Sequence, residues 1–277
     1  MTSDNPRVIP DLQDDLCRLG LSAGDLVVLQ SSFRTLGRPE VTPADFLCTL
    51  LELLGPGGTL MTPTFTYSYA GLWGVQPFDP QTTPGLLNGI LTETLRRRPG
   101  ARRSAHPTYS VAAFGRHADE LTRDKQQASA LGEGSSYGEA NRLGARILLL
   151  GVGNDRNPML HYAETVAGVP YLDIPWRAHA GKTALVLQAD VPAEVPLPEE
   201  YPACSLGFGA ADAYLEECGV LRRGRVGAAN CLVMDSQTMV AAVAERLRRE
   251  PGWLLCSTFG CEPCTLRKRR LRAMGRL

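Results

Sequence analysis

Apolar residues recur at Ile9, Leu12, Leu16 and Leu19, the spacing of a helix with one buried face, and Gly20 supplies a stop. Residues 25–29 turn continuously apolar at Leu26, Val27, Val28 and Leu29 and run into Gln30, Ser31 and Ser32, which predicts a buried strand ending in a polar turn. Thr42-Pro43-Ala44-Asp45 predicts the start of a second helix, with proline in its first turn, and Gly55-Pro56-Gly57-Gly58 its end. Residues 59–65 read as the next strand. Helix, strand, helix, strand in succession predicts an α/β layered fold.

The stretch 66–83 is rich in aromatic, Gly and Pro residues and reads as a long functional loop. A helix is predicted over 85–98 and a strand over 110–114, and 122–138 is polar and irregular. Residues 146–153 form the clearest strand, followed by a loop over 154–158 and a helix over 159–167. Prolines between 192 and 202 predict a long connection, and 236–250 predicts a further helix. There is no internal repeat, and no linker is long enough to split the chain. The expected architecture is a layered α/β/α sandwich: one domain over residues 1–260, with 261–277 as a basic, cysteine-containing C-terminal extension.

Composition narrows the function classes. Lys and Arg balance Asp and Glu at 29 each, which argues against nucleic acid as a partner. The imbalance is local: Arg267, Lys268, Arg269, Arg270, Arg272 and Arg276 crowd the end, which reads as a solvated, partly frayed tail or a contact with something anionic. The amino terminus lacks the basic start and apolar core of a signal peptide. No apolar run approaches the ~18 residues of a membrane helix, so no membrane association and a cytoplasmic location are expected. Eight cysteines are then expected to be reduced. Cys17, Cys48, Cys204, Cys218 and Cys231 are scattered and read as small hydrophobes. Cys261-Glu-Pro-Cys264, with Cys256 nearby, is the one cluster. A single CxxC without a second pair reads first as plain thiols, with structural zinc or a redox pair as alternatives, so no metal is expected.

The strand–loop–helix unit at 146–167 is the strongest site candidate, because ligands of α/β sheets bind at the carboxyl ends of strands. His161 and Glu164 stand three apart on its helix and share a face, so a carboxylate could hold an imidazole acting as general base. A surface His–Glu pair without function is the bland alternative. The strand end at Ser31, Ser32 and Phe33 offers donors for a developing oxyanion, although Ser-Ser after a strand is often only a helix cap. Two motifs fail on context. Gly134-Ser135-Ser136-Tyr137-Gly138 matches the hydrolase nucleophile elbow but no buried strand precedes it. His161-Tyr162-Ala163-Glu164 lacks the second histidine of a metalloprotease helix.

Six segments in order carry a resemblance: GDLVVLQSSFRTLG (24–37), LLGPGGTLMTPTF (53–65), FDPQTTPGLLNGIL (78–91), RRSAHPTYSVAAFG (102–115), GEGSSYGE (132–139) and ILLLGVGNDRNPMLHYAE (147–164). Over roughly residues 10–175 the chain resembles the aminoglycoside 3-N-acetyltransferase family, which is unrelated to the GNAT acetyltransferases. The resemblance implies transfer of an acetyl or other acyl group from acetyl-CoA, as donor and without metal, to an amine of a small molecule. It implies His161 as general base and Glu164 as its partner in the site. Ser31, Ser32 and Phe33 would line the thioester channel, and Arg102, Arg103, Ser104, Ser135 and Ser136 would meet the coenzyme's polar groups. Glu164 would also face the substrate, and Asp79 would either face it or support the site. The chain has Gln30 where family members usually have His, and Ser135-Ser136 where they usually have Ser-Pro. A serine hydrolase using Ser135 or Ser136, and a non-catalytic CoA-binding protein, are the alternatives. A homodimer is left open.

Overall fold

The computed structural model describes residues 6–85, 88–123, 125, 128–176, 182–198 and 202–277. The first elements form where the apolar spacing predicts them: α1 (Pro10–Arg18), β1 (Leu26–Ser31), α2 (Pro43–Leu54) and β2 (Thr59–Pro63). A capping box starts α2. Thr42 Oγ1 accepts from the Asp45 N–H, the Asp45 carboxylate accepts from the Thr42 N–H, and Pro43 sits where no helical N–H is needed. There follow α3 (Ile90–Arg96), β3 (Arg102–Arg103), β4 (Val111–Gly115), α4 (Ala118–Thr122) and α5 (Ser136–Arg142), then β5 (Arg146–Leu150) and α6 (Met159–Ala167). Leu86 and Leu87 of the predicted 85–98 helix, and Gln127 of the polar stretch, lie outside the described residues.

The rest of the chain is more structured than its sequence suggested. It forms β6 (Thr183–Gln188), β7 (Val191–Pro196), α7 (Ala211–Glu217), β8 (Arg222–Val226), β9 (Ala229–Asp235), α8 (Ser236–Arg249) and α9 (Glu262–Ala273). The proline-rich connection predicted over 192–202 is in part β7, paired antiparallel with β6. A two-stranded sheet tolerates proline because each strand has an unpaired edge. This hairpin docks on the aromatic loop through bridges from Tyr69 to Ala184 and from Phe78 to Val186.

Seven strands form one sheet in the order β3-β4-β2-β1-β5-β9-β8. β1 runs parallel to both β2 and β5, and the outer pairings are antiparallel. Successive side chains on a strand point to opposite faces. Val27, Leu29, Leu60, Leu148 and Leu150 therefore meet α1, α2 and α3 on one side. Leu26, Val28, Met61, Ile147 and Leu149 meet residues of α5, α6, α7 and α8 on the other. Burial on both faces is why the central strands are continuous apolar runs, and the result is the α/β/α sandwich. Among the described residues no helix is long and apolar enough to cross a membrane.

The basic stretch expected to be a solvated tail is a helix. Pro263, Cys264, Arg267 and Leu271 of α9 are buried, so one side of it packs on the core while its other arginines stay in water.

Candidate active site

β5 ends at Gly151, whose φ is +66° and whose Cβ, if present, would overlap the Thr35 side chain. The Gly151 N–H donates to the Asn230 carbonyl at 2.8 Å, which fixes the exit from the strand. Gly151→Ala combines a left-handed backbone with a collision, about 2–3 kcal/mol together. It is expected to lower Tm by roughly 5–10 °C in a melting curve; an unchanged Tm would show that Thr35 can move aside. Beyond it, Asn154 Nδ2 donates to Asp212 Oδ1 at 2.8 Å and Asn157 Nδ2 to Asn154 Oδ1 at 2.9 Å. Asn157 Oδ1 in turn accepts from the Met159 N–H at 3.1 Å, one of the orphan donors of the α6 start. The sheet thus hands a fixed orientation to α6.

On α6, His161 Nδ1 lies 2.6 Å from Glu164 Oε2, and both side chains are buried. The surface-pair alternative is therefore excluded. Tyr171 donates toward Glu164 Oε1 at 3.2 Å and to the Pro251 carbonyl at 2.7 Å. Arg267, from α9, brings its guanidinium to 3.8 Å from Glu164 Oε1, donates to the Ile174 carbonyl at 2.9 Å and covers the Tyr171 ring. Burial pushes the Glu164 carboxyl up. The His161 hydrogen bond, the charges of His161 and Arg267, and the Tyr171 hydroxyl outweigh it and hold the group below its usual value. Glu164 is thus an ionised acceptor facing Nδ1, which selects the tautomer that carries its proton there, so that Nε2 is the nitrogen with the lone pair whenever the imidazole is neutral. The Phe208 ring packs edge-on against the imidazole at 4.6 Å between centroids. Sequence reasoning found His161 and Glu164 but missed Tyr171, Phe208 and Arg267. Of these, only Tyr171 lay within the segment that showed the resemblance.

A cleft of about 1050 Å³ opens where β1 and β5 end, lined by Gln30, Ser31, Ser32, Phe33, Arg34 and Arg156 among others. His161 does not line it. The imidazole borders a narrow crevice with Ser129, Gly132, Leu172 and Pro202. The 151–158 loop joins the two, since Val152 and Arg156 line the cleft while Asn157 caps α6. The Ser32 N–H already donates to the Leu150 carbonyl at 2.8 Å.

The other residues singled out from sequence have partners within the fold. Arg102 is exposed and pairs with Asp119 at 2.9 Å. Arg103 is turned inward, donating to the Thr64 carbonyl at 3.0 Å and to the Ser110 hydroxyl at 3.2 Å, with its guanidinium over Phe78. Ser104 is fully buried and accepts from the Val111 N–H. Ser135 is the N-cap of α5, accepting from the Gly138 N–H at 3.0 Å, and Ser136 is buried beside it. Asp79 accepts from the Gln81 N–H at 2.8 Å and the Thr82 hydroxyl at 2.6 Å, so both its oxygens serve its own turn. None of these six residues lines the cleft at β1 and β5.

A family model described as aminoglycoside 3-N-acetyltransferase matches residues 28–248. The chain belongs to the aminoglycoside 3-N-acetyltransferase family. It is 34% identical to aminoglycoside N(3)-acetyltransferase IV of Salmonella sp. over 87% of each chain. It is 31% identical to aminoglycoside N(3)-acetyltransferase VII of Streptomyces paromomycinus, covering 90% of this chain and 96% of that one. Among solved structures, the gentamicin complex of a histidine-to-alanine mutant of aminoglycoside acetyltransferase AAC(3)-IVa superposes with a TM-score of 0.83. That pair is 31% identical and covers 97% of this chain and 99% of the other. Kinship with the acetyltransferases therefore runs well past residue 175, beyond the six segments that carry the resemblance. The chain is an N-acyltransferase of this family, and its relatives give no support to a serine hydrolase.

Proposed function

We propose that this acetyltransferase moves an acetyl group from acetyl-CoA to an amine of an aminoglycoside-type amino sugar, with His161 as general base. The observation that carries this reading is the buried His161–Glu164 pair, oriented by Tyr171 and Arg267, on the helix whose preceding loop walls the large cleft through Val152 and Arg156. Relatives support the two substrates. AAC(3)-IVa was crystallised with gentamicin and with apramycin, AAC-VIa with sisomicin and AAC-IIIb with CoASH.

The cleft fits the coenzyme chemically. Arg34 and Arg156 bring positive charge toward phosphates, while Phe33 and Val152 offer apolar surface to a thioester arm. In the proposed reaction His161 Nε2 takes a proton from the acceptor nitrogen as that nitrogen attacks the thioester carbonyl. The C–N bond forms, the C–S bond breaks, and its electron pair leaves on sulfur, which takes up a proton as free coenzyme thiol. Because the Ser32 N–H is already engaged, oxyanion stabilisation falls to the N–H groups of Phe33 and Arg34, at the head of a short 3-10 turn where donors lack helical partners. Glu164 acts through His161 rather than on the acceptor, and Asp79 holds its own loop. The reaction belongs in the cytoplasm, where its acyl donor is found.

The test is a panel of amines with acetyl-CoA, following free thiol release. Cationic amino sugars are expected to react faster than neutral amines or hydroxyls, and Asp79→Asn to leave kcat/KM unchanged. Faster acylation of neutral acceptors would overturn the acceptor class. Absence of acetyl-CoA binding by calorimetry at millimolar coenzyme would overturn acyl transfer from this donor.

A further inference from the structure

The thiols of Cys204, Cys256, Cys261 and Cys264 come together in the fold, each sulfur within 4.8 Å of the others. Sequence reasoning read Cys204 as a scattered hydrophobe and the CxxC as lacking a second pair. The missing pair is Cys204 and Cys256, whose sulfurs are 3.6 Å apart although the residues are 52 positions apart in sequence. That separation is far beyond the ~2.05 Å of a disulfide bond. It suits a tetrahedron of thiolates around one ion, where an S–metal distance of about 2.3 Å sets sulfur separations near 3.8 Å. We infer that these four cysteines form a structural zinc site.

The surroundings fit a thiolate cluster. The Leu206 N–H donates to Cys204 Sγ at 3.4 Å, the kind of backbone bond that steadies a metal-bound sulfur. The Lys268 ammonium, bonded to the Cys256 carbonyl at 2.6 Å, places a positive charge beside four sulfurs that would leave a zinc complex with net negative charge. Gly207 lets the turn after Cys204 lie directly on the backbone at 254–256, since a Cβ there would overlap the Leu254 carbonyl. Four soft sulfur donors with no oxygen or nitrogen among them select zinc over the harder divalent cations.

The ion would clip together two segments that the active site depends on. Cys204 lies shortly before Phe208, which packs on His161, and Cys264 one helical turn before Arg267, which pairs with Glu164. Cys204 and Cys261 also wall an aromatic cavity of about 680 Å³ that includes Tyr67, Tyr109 and Trp176. The role is structural, since all four ligands come from protein and no coordination position is left for substrate.

Protein purified without chelator under reducing conditions is expected to hold one zinc per chain by elemental mass spectrometry. Cobalt exchanged into the wild-type protein should give the visible bands of a tetrahedral thiolate centre, a reading that needs no variant and no activity. Cys204→Ser with Cys261→Ser should lose the metal and lower Tm, whereas Cys204→His, which keeps a ligand, should retain it. Reduced wild-type protein that holds no zinc after reconstitution, an intact mass showing disulfides in freshly purified protein, or stoichiometric iron would each overturn the assignment.

Discussion

Replacing His161 with glutamine is expected to lower kcat for acetyl transfer by about 10³-fold while leaving acetyl-CoA affinity and Tm near the wild-type values. Glutamine keeps a donor for the buried Glu164 carboxylate but cannot take up a proton at neutral pH. His161→Ala should show the same kinetic loss and, in addition, a lower Tm, because it strands the carboxylate oxygen that His161 now satisfies and removes the edge contact with Phe208. The two variants separate catalysis from support. Single-turnover rates with an accepted amine, alongside melting curves, make the comparison. Activity of the glutamine variant within about threefold of wild type would assign the base to another group, since general-base catalysis contributes about 10²–10⁴-fold.

Arg267→Met is expected to lower Tm by about 5–10 °C and to make the protein more sensitive to acid. Removing one partner of a buried ion pair costs about 3–5 kcal/mol, because the other charge stays in the interior. Here the cost falls toward the lower figure, since His161 and Tyr171 still bond Glu164. The folded-state value of Glu164 lies below its usual one. Its contribution to stability is therefore complete above the unfolded glutamate value of about 4.3 and is lost as pH falls through the folded value. Without Arg267 the folded value rises, the contribution shrinks, and the loss begins at a higher pH. Arg267→Lys keeps a charge but not the fork that reaches both Glu164 and the Ile174 carbonyl, so it should fall between the two. The measurement is Tm against pH for all three proteins. Parallel curves would show that Arg267 merely fills space.

What the sequence disclosed followed from what is local. The apolar runs of β1 and β5, the helix start at Thr42-Pro43-Ala44-Asp45 and the three-residue spacing of His161 and Glu164 each depend on neighbours in the chain, and each formed as predicted. β9 escaped although both of its faces are buried like those of β1 and β5, Cys231 and Val233 pointing to one layer and Leu232 and Met234 to the other. Its apolar stretch carries a cysteine and a methionine where β1 and β5 are built from Leu, Val and Ile, so it signals a strand less strongly. Arg267 escaped for a different reason. In a run of basic residues nothing local marks the one turned inward, and the carboxylate that selects it lies on another helix. Of the cysteine cluster, the CxxC and the nearby Cys256 were visible, and Cys204 was not, because it comes from a distant position.

The placement of α9 bears on how truncated copies of such a gene should be read. A copy ending at residue 250 would contain the whole stretch that marks membership, 28–248, and both His161 and Glu164. It would lack Arg267 and three of the four clustered cysteines, and Glu164 would lose its guanidinium partner. In a survey of genomes it would be counted as an acetyltransferase, yet the protein it encodes should fail to hold His161 and Glu164 in place.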